Sequence, residues 1–335
     1  MDSLTHIALG SALGIVAMRG RTAPWKAALV GAACNTLPDL DVFIHHGDAV
    51  SNVTLHRAES HAVFWLSVAS PVVAFVAAAI FRDLVQYRRW WLMVWVALIS
   101  HPILDAFTIY GTQIARPFTD ESFGIGSIFI IDPLYTLPLI AGAVVALSLR
   151  NTNGWRWALG GLALSTLYLG WGVVAQHQVL RIAKASLKSQ GIPADRVLAT
   201  PTAFNSILWR IVAVTPDAYL EGFHSMLDRD RNIAFDSFPR GMQLHAAMAG
   251  NRFIDRVAQW THGFYKLGER DGRIVVTDLR MGQEPFYSFN FVVGQRQSPT
   301  IAAVTPTSFR EQHKISEGLR WLWRRMLGEP LPPPR

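Results

Sequence analysis

Residues 90–109 read WWLMVWVALISHPILDAFTI. The run has the length and apolar character of a membrane segment, and Trp90, Trp91 and Trp95 near its start read as interface anchors. Yet it carries His101 and Asp105, four positions apart. On a helix that spacing stacks both side chains on one face, one turn apart, where they can reach a single ion. An aspartate in a membrane segment costs roughly 2.5–3.5 kcal/mol on insertion scales, so a chain that keeps one there is expected to use it.

Other apolar stretches flank this one. They cover residues 4–18 (LTHIALGSALGIVAM), 24–37 (stopped by Pro38), 62–81 (kinked at Pro71), 133–149 and 155–175. In the first, Gly10, Ala12 and Gly14 are small enough to let helix backbones approach closely. The fold expected is an α-helical integral membrane domain of about six segments, followed by a smaller soluble α+β domain. The boundaries expected are 1–175 for the membrane-embedded catalytic domain, 176–190 for a connecting helix and 191–335 for the extracytoplasmic domain. In the last, Ile211–Val214, Gly272–Thr277 and Phe286–Val293 read as strands, and Trp321, Trp323 and Met326 as a terminal helix.

Composition agrees with a membrane location. Of 335 residues, 50% are hydrophobic and 16% charged, against roughly 25% charged in soluble domains. The net charge is +7 with no dense basic block, which favours anionic lipid over nucleic acid as a partner. The single cysteine, Cys34, excludes an intrachain disulfide and a cysteine-rich zinc site. The N-terminus lacks the basic region of a signal peptide and is expected to be retained.

With six spans, loop charge sets the orientation. Arg19, Arg21, Lys26, Arg82, Arg88, Arg89, Arg150 and Arg156 fall on one side, and Arg57 and Arg116 on the other. That asymmetry puts both termini outside. It also puts His6, Asp39, Asp41, His56, His61, His101 and Asp105 on the outer side, with Asp132. These seven, without Asp132, are the candidate metal ligands. Asp39 and Asp41, two apart in Leu-Pro-Asp-Leu-Asp, need a cation to ionise together cheaply. His56 and His61, five apart, do not share a helical face, so one is expected in a loop and the other on a helix. A His/Asp set without cysteine suits zinc, and also manganese or iron. Seven ligands exceed the three of a typical catalytic zinc, and a pair of ions roughly 3.5–4 Å apart would use them. Arg57 can pair with a phosphoryl oxygen, and Glu59 or Asp41 can serve as general base. His45 and His46 read as loop residues; His177, His224, His245, His262 and His313 read as structural or surface residues.

Several of these motifs together resemble the signature of the YdjM/YfhP-type bacterial inner-membrane proteins. They are Met-Asp-Ser-Leu-Thr-His6, Leu-Pro-Asp39-Leu-Asp41, His56-Arg-Ala-Glu-Ser-His61, Ser-His101-Pro-Ile-Leu-Asp105 and Tyr-Gly-Thr112. The likeness covers about residues 1–175, and Pro201–Asn205 through Trp209 and Arg210 resembles the start of the family's longer C-terminal extension. The family is described as membrane-bound metal-dependent hydrolases and is distantly similar to zinc-dependent phospholipases C. The resemblance therefore implies a multi-pass protein of the bacterial inner membrane. It would cleave an ester or phosphoester of a lipid or lipid-linked substrate with water activated by one or two divalent ions. One departure is Ala58, where a glycine is expected after His-Arg. The competing readings are a non-catalytic membrane assembly protein with a structural metal, and a metal transporter.

Overall fold

The computed structural model describes residues 1–149, 153–297, 300–311 and 315–335; Arg150 and His313 lie outside the described residues. Helices come first: α1 (Ser3–Met18), α2 (Pro24–Thr36), α3 (Ala49–Leu55), α4 (Val63–Ile80), α5 (Tyr87–Ala106), α6 (Pro133–Ser148) and α7 (Trp155–Ser189). A seven-residue 3₁₀ segment, Leu37–Phe43, continues α2, and a shorter 3₁₀ turn, Glu59–His61, leads into α4.

The expectation of about six membrane segments is overturned. Helices form at all six apolar stretches, but among the described residues only α4 and α7 are long and apolar enough to cross a membrane. Helices α1 and α6 have 16 residues each and α2 has 13. At about 1.5 Å per residue these reach about 20–24 Å, short of a hydrocarbon core of about 30 Å. Helix α5 has 20 residues, but Arg88, Arg89 and Asp105 interrupt its apolar character. Much of the apolar surface on these helices is buried in packing: Trp90, Met93, Val94 and Leu98 of α5 are fully buried with Met18 of α1. The charge asymmetry that put both termini and every ligand outside presupposes six spans, and it falls with them. The last apolar stretch and the connecting helix expected at 176–190 are one 35-residue helix, α7, because no proline or glycine interrupts residues 173–189.

The remainder is built on β-sheet. One antiparallel sheet has the order β1-β2-β3-β4, from β1 (Arg196–Pro201), β2 (Leu208–Val214), β3 (Ala218–Ser225) and β4 (Phe235–Pro239). Two helices follow, α8 (Met242–Ala247) and α9 (Arg252–Trp260). The next strands are β5 (Tyr265–Arg270), β6 (Arg273–Asp278), β7 (Gly282–Gln283), β8 (Phe286–Tyr287), β9 (Asn290–Gln297) and β10 (Thr300–Phe309), and α10 (Ile315–Met326) closes the chain. Strands β10-β9-β6-β5 form a second antiparallel sheet, and β7-β8 form a two-stranded ladder.

The chain divides into two compact units. One comprises Met1–Ile44, Arg57–Val173 and Ala203–Asn205; the other comprises His45–His56, Val174–Thr202 and Ser206–Arg335. In the helical unit, α1 and α2 meet backbone to backbone. A Cβ built on Gly31 would lie 2.0 Å from the Gly10 carbonyl oxygen, so only glycine permits the approach. In the sheet unit, α3 contributes Val50 to a core with Ile254, Val257 and Phe291. A second interior region there is polar. Arg210 donates to Glu221 at 2.7 Å and to the Leu279 carbonyl at 2.7 Å, and Arg335 donates to Glu221 at 2.5 Å. Beside them, Lys266 and the Tyr219 hydroxyl both donate to Glu284.

Candidate metal centre

Four ligand-type side chains of the helical unit converge: Asp39, His61, His101 and Asp105, with one donor atom from each lying within 4.8 Å of every other. The Nε2 atoms of His61 and His101 are 3.0 Å apart. Asp39 Oδ1 lies 3.5 Å from the first and 3.4 Å from the second. Asp105 Oδ2 lies 3.6 Å from the first and 3.4 Å from the second. Ligands bound at about 2.0–2.1 Å around a tetrahedral ion stand about 3.3–3.4 Å apart, and these five separations lie near that value, so all four side chains are within reach of one cation.

Hydrogen bonding behind the imidazoles fixes which nitrogen faces the centre. His101 Nδ1 lies 2.5 Å from the Asn35 carbonyl oxygen, which can only accept, so Nδ1 carries the proton and Nε2 the lone pair. Ser60 donates its hydroxyl to Asp41 Oδ2 at 2.6 Å and so accepts from His61 Nδ1 at 2.9 Å. His61 Nε2 therefore also presents a lone pair. Burial pulls the His61 imidazole down to about 3, against the raising influence of Asp39. Asp105 Oδ2 is buried and, among the described residues, receives no hydrogen bond. Two lone pairs and two carboxylate oxygens thus face one another, an arrangement that a divalent cation would stabilise.

Local structure explains the convergence. Helix α5 supplies His101 and Asp105 from one face, as the four-residue spacing dictates. The 3₁₀ segment after α2 carries Asp39, and the 3₁₀ turn before α4 carries His61. Arg57 has φ +69°, a left-handed conformation that disfavours side chains. It is held there because its N–H donates to Asp41 at 3.0 Å and its carbonyl accepts from Gln113 at 3.0 Å.

The other candidates fall in different places. His6 stacks on His101, with ring centroids 3.8 Å apart, and its Nε2 is 3.3 Å from Asp105 Oδ1 and 3.0 Å from the Met1 amino nitrogen. Asp41 stands behind His61, through Ser60, and is not among the four converging residues. Arg57 is buried, with Nε 3.3 Å from Asp105 Oδ2 and its guanidinium over the Tyr110 ring. Glu59 is exposed and paired with Arg116. His56 ends α3 in the sheet unit and is not one of the four. Asp132 caps α6, accepting from the Leu134 N–H and the Tyr168 hydroxyl.

Asn35 and Ser60 were not expected. Asn35 accepts from His6 Nδ1 at 3.0 Å and donates to the Ala97 carbonyl at 2.6 Å and to Ser100 at 2.7 Å, tying α1, α2 and α5 together. The signal available in the sequence was a lone amide within the apolar run 24–37.

These features define a helical protein with candidate membrane spans and a buried His/Asp group able to hold a metal ion. The sequence profile of the YdjM inner membrane protein family matches residues 1–179, more than half of the chain, and the chain belongs to that family. It is similar to the uncharacterized protein YfhP of Bacillus subtilis (strain 168), with 25% identity over 346 aligned positions that cover 96% of this chain and 99% of YfhP. It is also similar to the inner membrane protein YbcI of Escherichia coli (strain K12), with 30% identity over 123 positions that cover 36% of this chain and 69% of YbcI. No solved structure matches.

Proposed function

We propose that this protein is a membrane-bound hydrolase that uses a divalent cation, zinc by its ligand set, to cleave a phosphoester of a lipid or lipid-linked substrate. The observation that carries the reading is the convergence of Asp39, His61, His101 and Asp105 within reach of one ion, with both imidazole lone pairs turned inward. A cation bound there supplies Lewis acidity toward the phosphoryl oxygen and a lowered pKa for water. The protein's own groups supply the rest. Asp39, its side chain 24% exposed where the other three are fully buried, is the edge at which water and substrate reach the group. Arg57 offers positive charge to a phosphoryl oxygen next to Asp105. Asp41 positions His61 through Ser60. In the overall reaction the ester P–O bond breaks, the water oxygen bonds to phosphorus and its proton leaves with the released alcohol.

A second reading has a specific observation in its favour. Four protein donors are as many as structural zinc sites use, whereas catalytic sites keep a position open. One experiment separates the two. Purified protein in detergent, with metal content measured by mass spectrometry, is assayed on labelled phospholipids beside His101→Ala and Asp105→Ala. Hydrolysis that falls at least a hundredfold in both variants supports the hydrolase. Bound zinc in the wild type with no turnover above that of the variants supports a structural ion.

A further inference from the structure

The segment that carries Asp39 and Asp41 has a three-residue rhythm. A 3₁₀ helix turns once every three residues, so positions i, i+3 and i+6 line up along one edge. In Leu37–Phe43 that edge is Leu37, Leu40 and Phe43, exposed by 43%, 55% and 82%. The next edge, Pro38 and Asp41, is buried. Seven residues is long for a 3₁₀ run, and this one separates an apolar outer edge from an acidic inner one. Val42 and Ile44 add to the exposed apolar surface.

A second observation says what covers that edge. Helix α4 begins at Val63, two residues after His61, and is a candidate membrane span. Its apolar side chains remain exposed along its length, including Trp65, Val68, Val72, Phe75 and Ile80. Its first turn is anchored to the loop that follows α5, since the Val63 N–H donates to the Ile114 carbonyl at 3.1 Å. A helix of this composition seated in a bilayer puts its first residue, and hence the neighbouring ligand His61, at the level of the lipid headgroups. The YdjM family is one of inner membrane proteins, which supplies the bilayer.

We infer that the Leu37–Leu40–Phe43 edge inserts into the acyl region of the membrane beside the start of α4, and that the substrate is an amphiphile. Its head enters at Asp39 while its chain stays in lipid along this edge. The second half of the inference rests on the hydrolase reading; the insertion does not.

The test has two arms. Single cysteines at positions 37, 40, 43 and, as an aqueous control, 120 are introduced into a Cys34→Ala background. Each is spin-labelled and reconstituted in vesicles of phosphatidylethanolamine and phosphatidylglycerol. Power saturation with oxygen and with a nickel chelate then reports depth. Labels at 37, 40 and 43 are expected to favour oxygen and exclude nickel, unlike the label at 120; nickel accessibility equal to that at 120 overturns the insertion. In the second arm, Leu40→Asp/Phe43→Asp is assayed on dioleoyl-phosphatidylglycerol vesicles and on dihexanoyl-phosphatidylglycerol in solution. The expected result is a loss of at least tenfold on vesicles, with unchanged turnover of the soluble ester and unchanged metal content. Equal rates on vesicles, or equal losses on both substrates, overturn the role in substrate entry. Absence of turnover in the wild type overturns the hydrolase and the amphiphile together, while the depth measurement still decides the insertion.

Discussion

Each unit of this protein buries a polar cluster, and the two clusters are balanced in opposite ways. In the sheet unit, Arg210, Lys266 and Arg335 meet Glu221 and Glu284, and the cations donate directly to the carboxylates. In the helical unit, Asp39 and Asp105 face the lone-pair nitrogens of His61 and His101. Arg57 and the Met1 amino group meet that group at Asp105. The first cluster is complete with the atoms of the chain. The second has acceptors turned toward acceptors, a group that could hold a cation. Burial alone is therefore a poor guide to a site; the match of donors to acceptors is the better one.

Breaking one partner in the balanced cluster has the largest expected effect. Glu221→Leu strands the buried Arg210 and should lower the unfolding free energy by about 3–5 kcal/mol in urea titration. The double variant Arg210→Met/Glu221→Leu should recover much of that loss. The matching change in the other cluster, Asp39→Asn, should leave the metal-free protein as stable as the wild type or slightly more so, because the new amide can donate to an imidazole lone pair. A loss as large as that of Glu221→Leu would mean that the two clusters are built alike.

Next comes the cation itself. A ligand bound only by the folded state at a hundredfold excess over its Kd adds about 2.7 kcal/mol. Zinc added to protein stripped with EDTA should raise the thermal midpoint of the wild type and leave that of His101→Ala in place. The sheet-unit variants should keep the full zinc response, since their cluster needs no ion.

A smaller effect is expected from Asn35, which lies behind the ligands. Asn35→Ala removes the partner of His6 Nδ1 and the donor to Ala97 and Ser100. Groups that bond a ligand directly are worth about 10–100-fold in metal affinity; this side chain acts one contact further back, and the main-chain carbonyl that holds His101 is kept, so a loss near or below the lower end of that range is expected. Isothermal titration should show that weakening with the stoichiometry intact. An unchanged affinity would detach α2 from the metal centre.

Asn35 also marks how far the sequence could be read. His101 and Asp105 were legible because a fixed helical period joins them; Asp39 was marked only as half of a carboxylate pair, and the other half, Asp41, turns away to Ser60. The roles of Asn35 and Ser60 depend on contacts between α2, α5 and the turn before α4, which no local period encodes. The six apolar stretches were legible as helices. What hydropathy could not tell was whether an apolar face meets lipid or another helix, and a 13-residue α2 pressed on α1 through Gly10 and Gly31 answers that by contact. In the sheet unit the short apolar runs around Val212 and Val275, bounded by turn residues, marked strands, but their pairing order is a long-range property.

The smallest expected effect concerns the sheet unit's response to acid. Asp228 accepts two hydrogen bonds from Arg325 of α10, at 2.6 and 2.7 Å, and lies 3.3 Å from His224. Burial raises its carboxyl, but His224 and Arg325 outweigh that and hold it below the usual carboxylate range. Because the folded state keeps it ionised to lower pH than the unfolded state does, its contribution is complete above about pH 4, the ordinary aspartate value, and is lost as pH falls through the depressed one. Asp228 is partly exposed, so solvent screening limits that contribution to about 1 kcal/mol or less. Protection of the α10 amides, corrected for the intrinsic exchange rate, should therefore fall as pH drops below about 4, and Asp228→Asn should lower it at neutral pH and flatten the dependence. The same acidification in the helical unit should act by releasing zinc, because its imidazoles must be neutral to ligate. If α10 loosened only when zinc left, the two units would be coupled rather than independent.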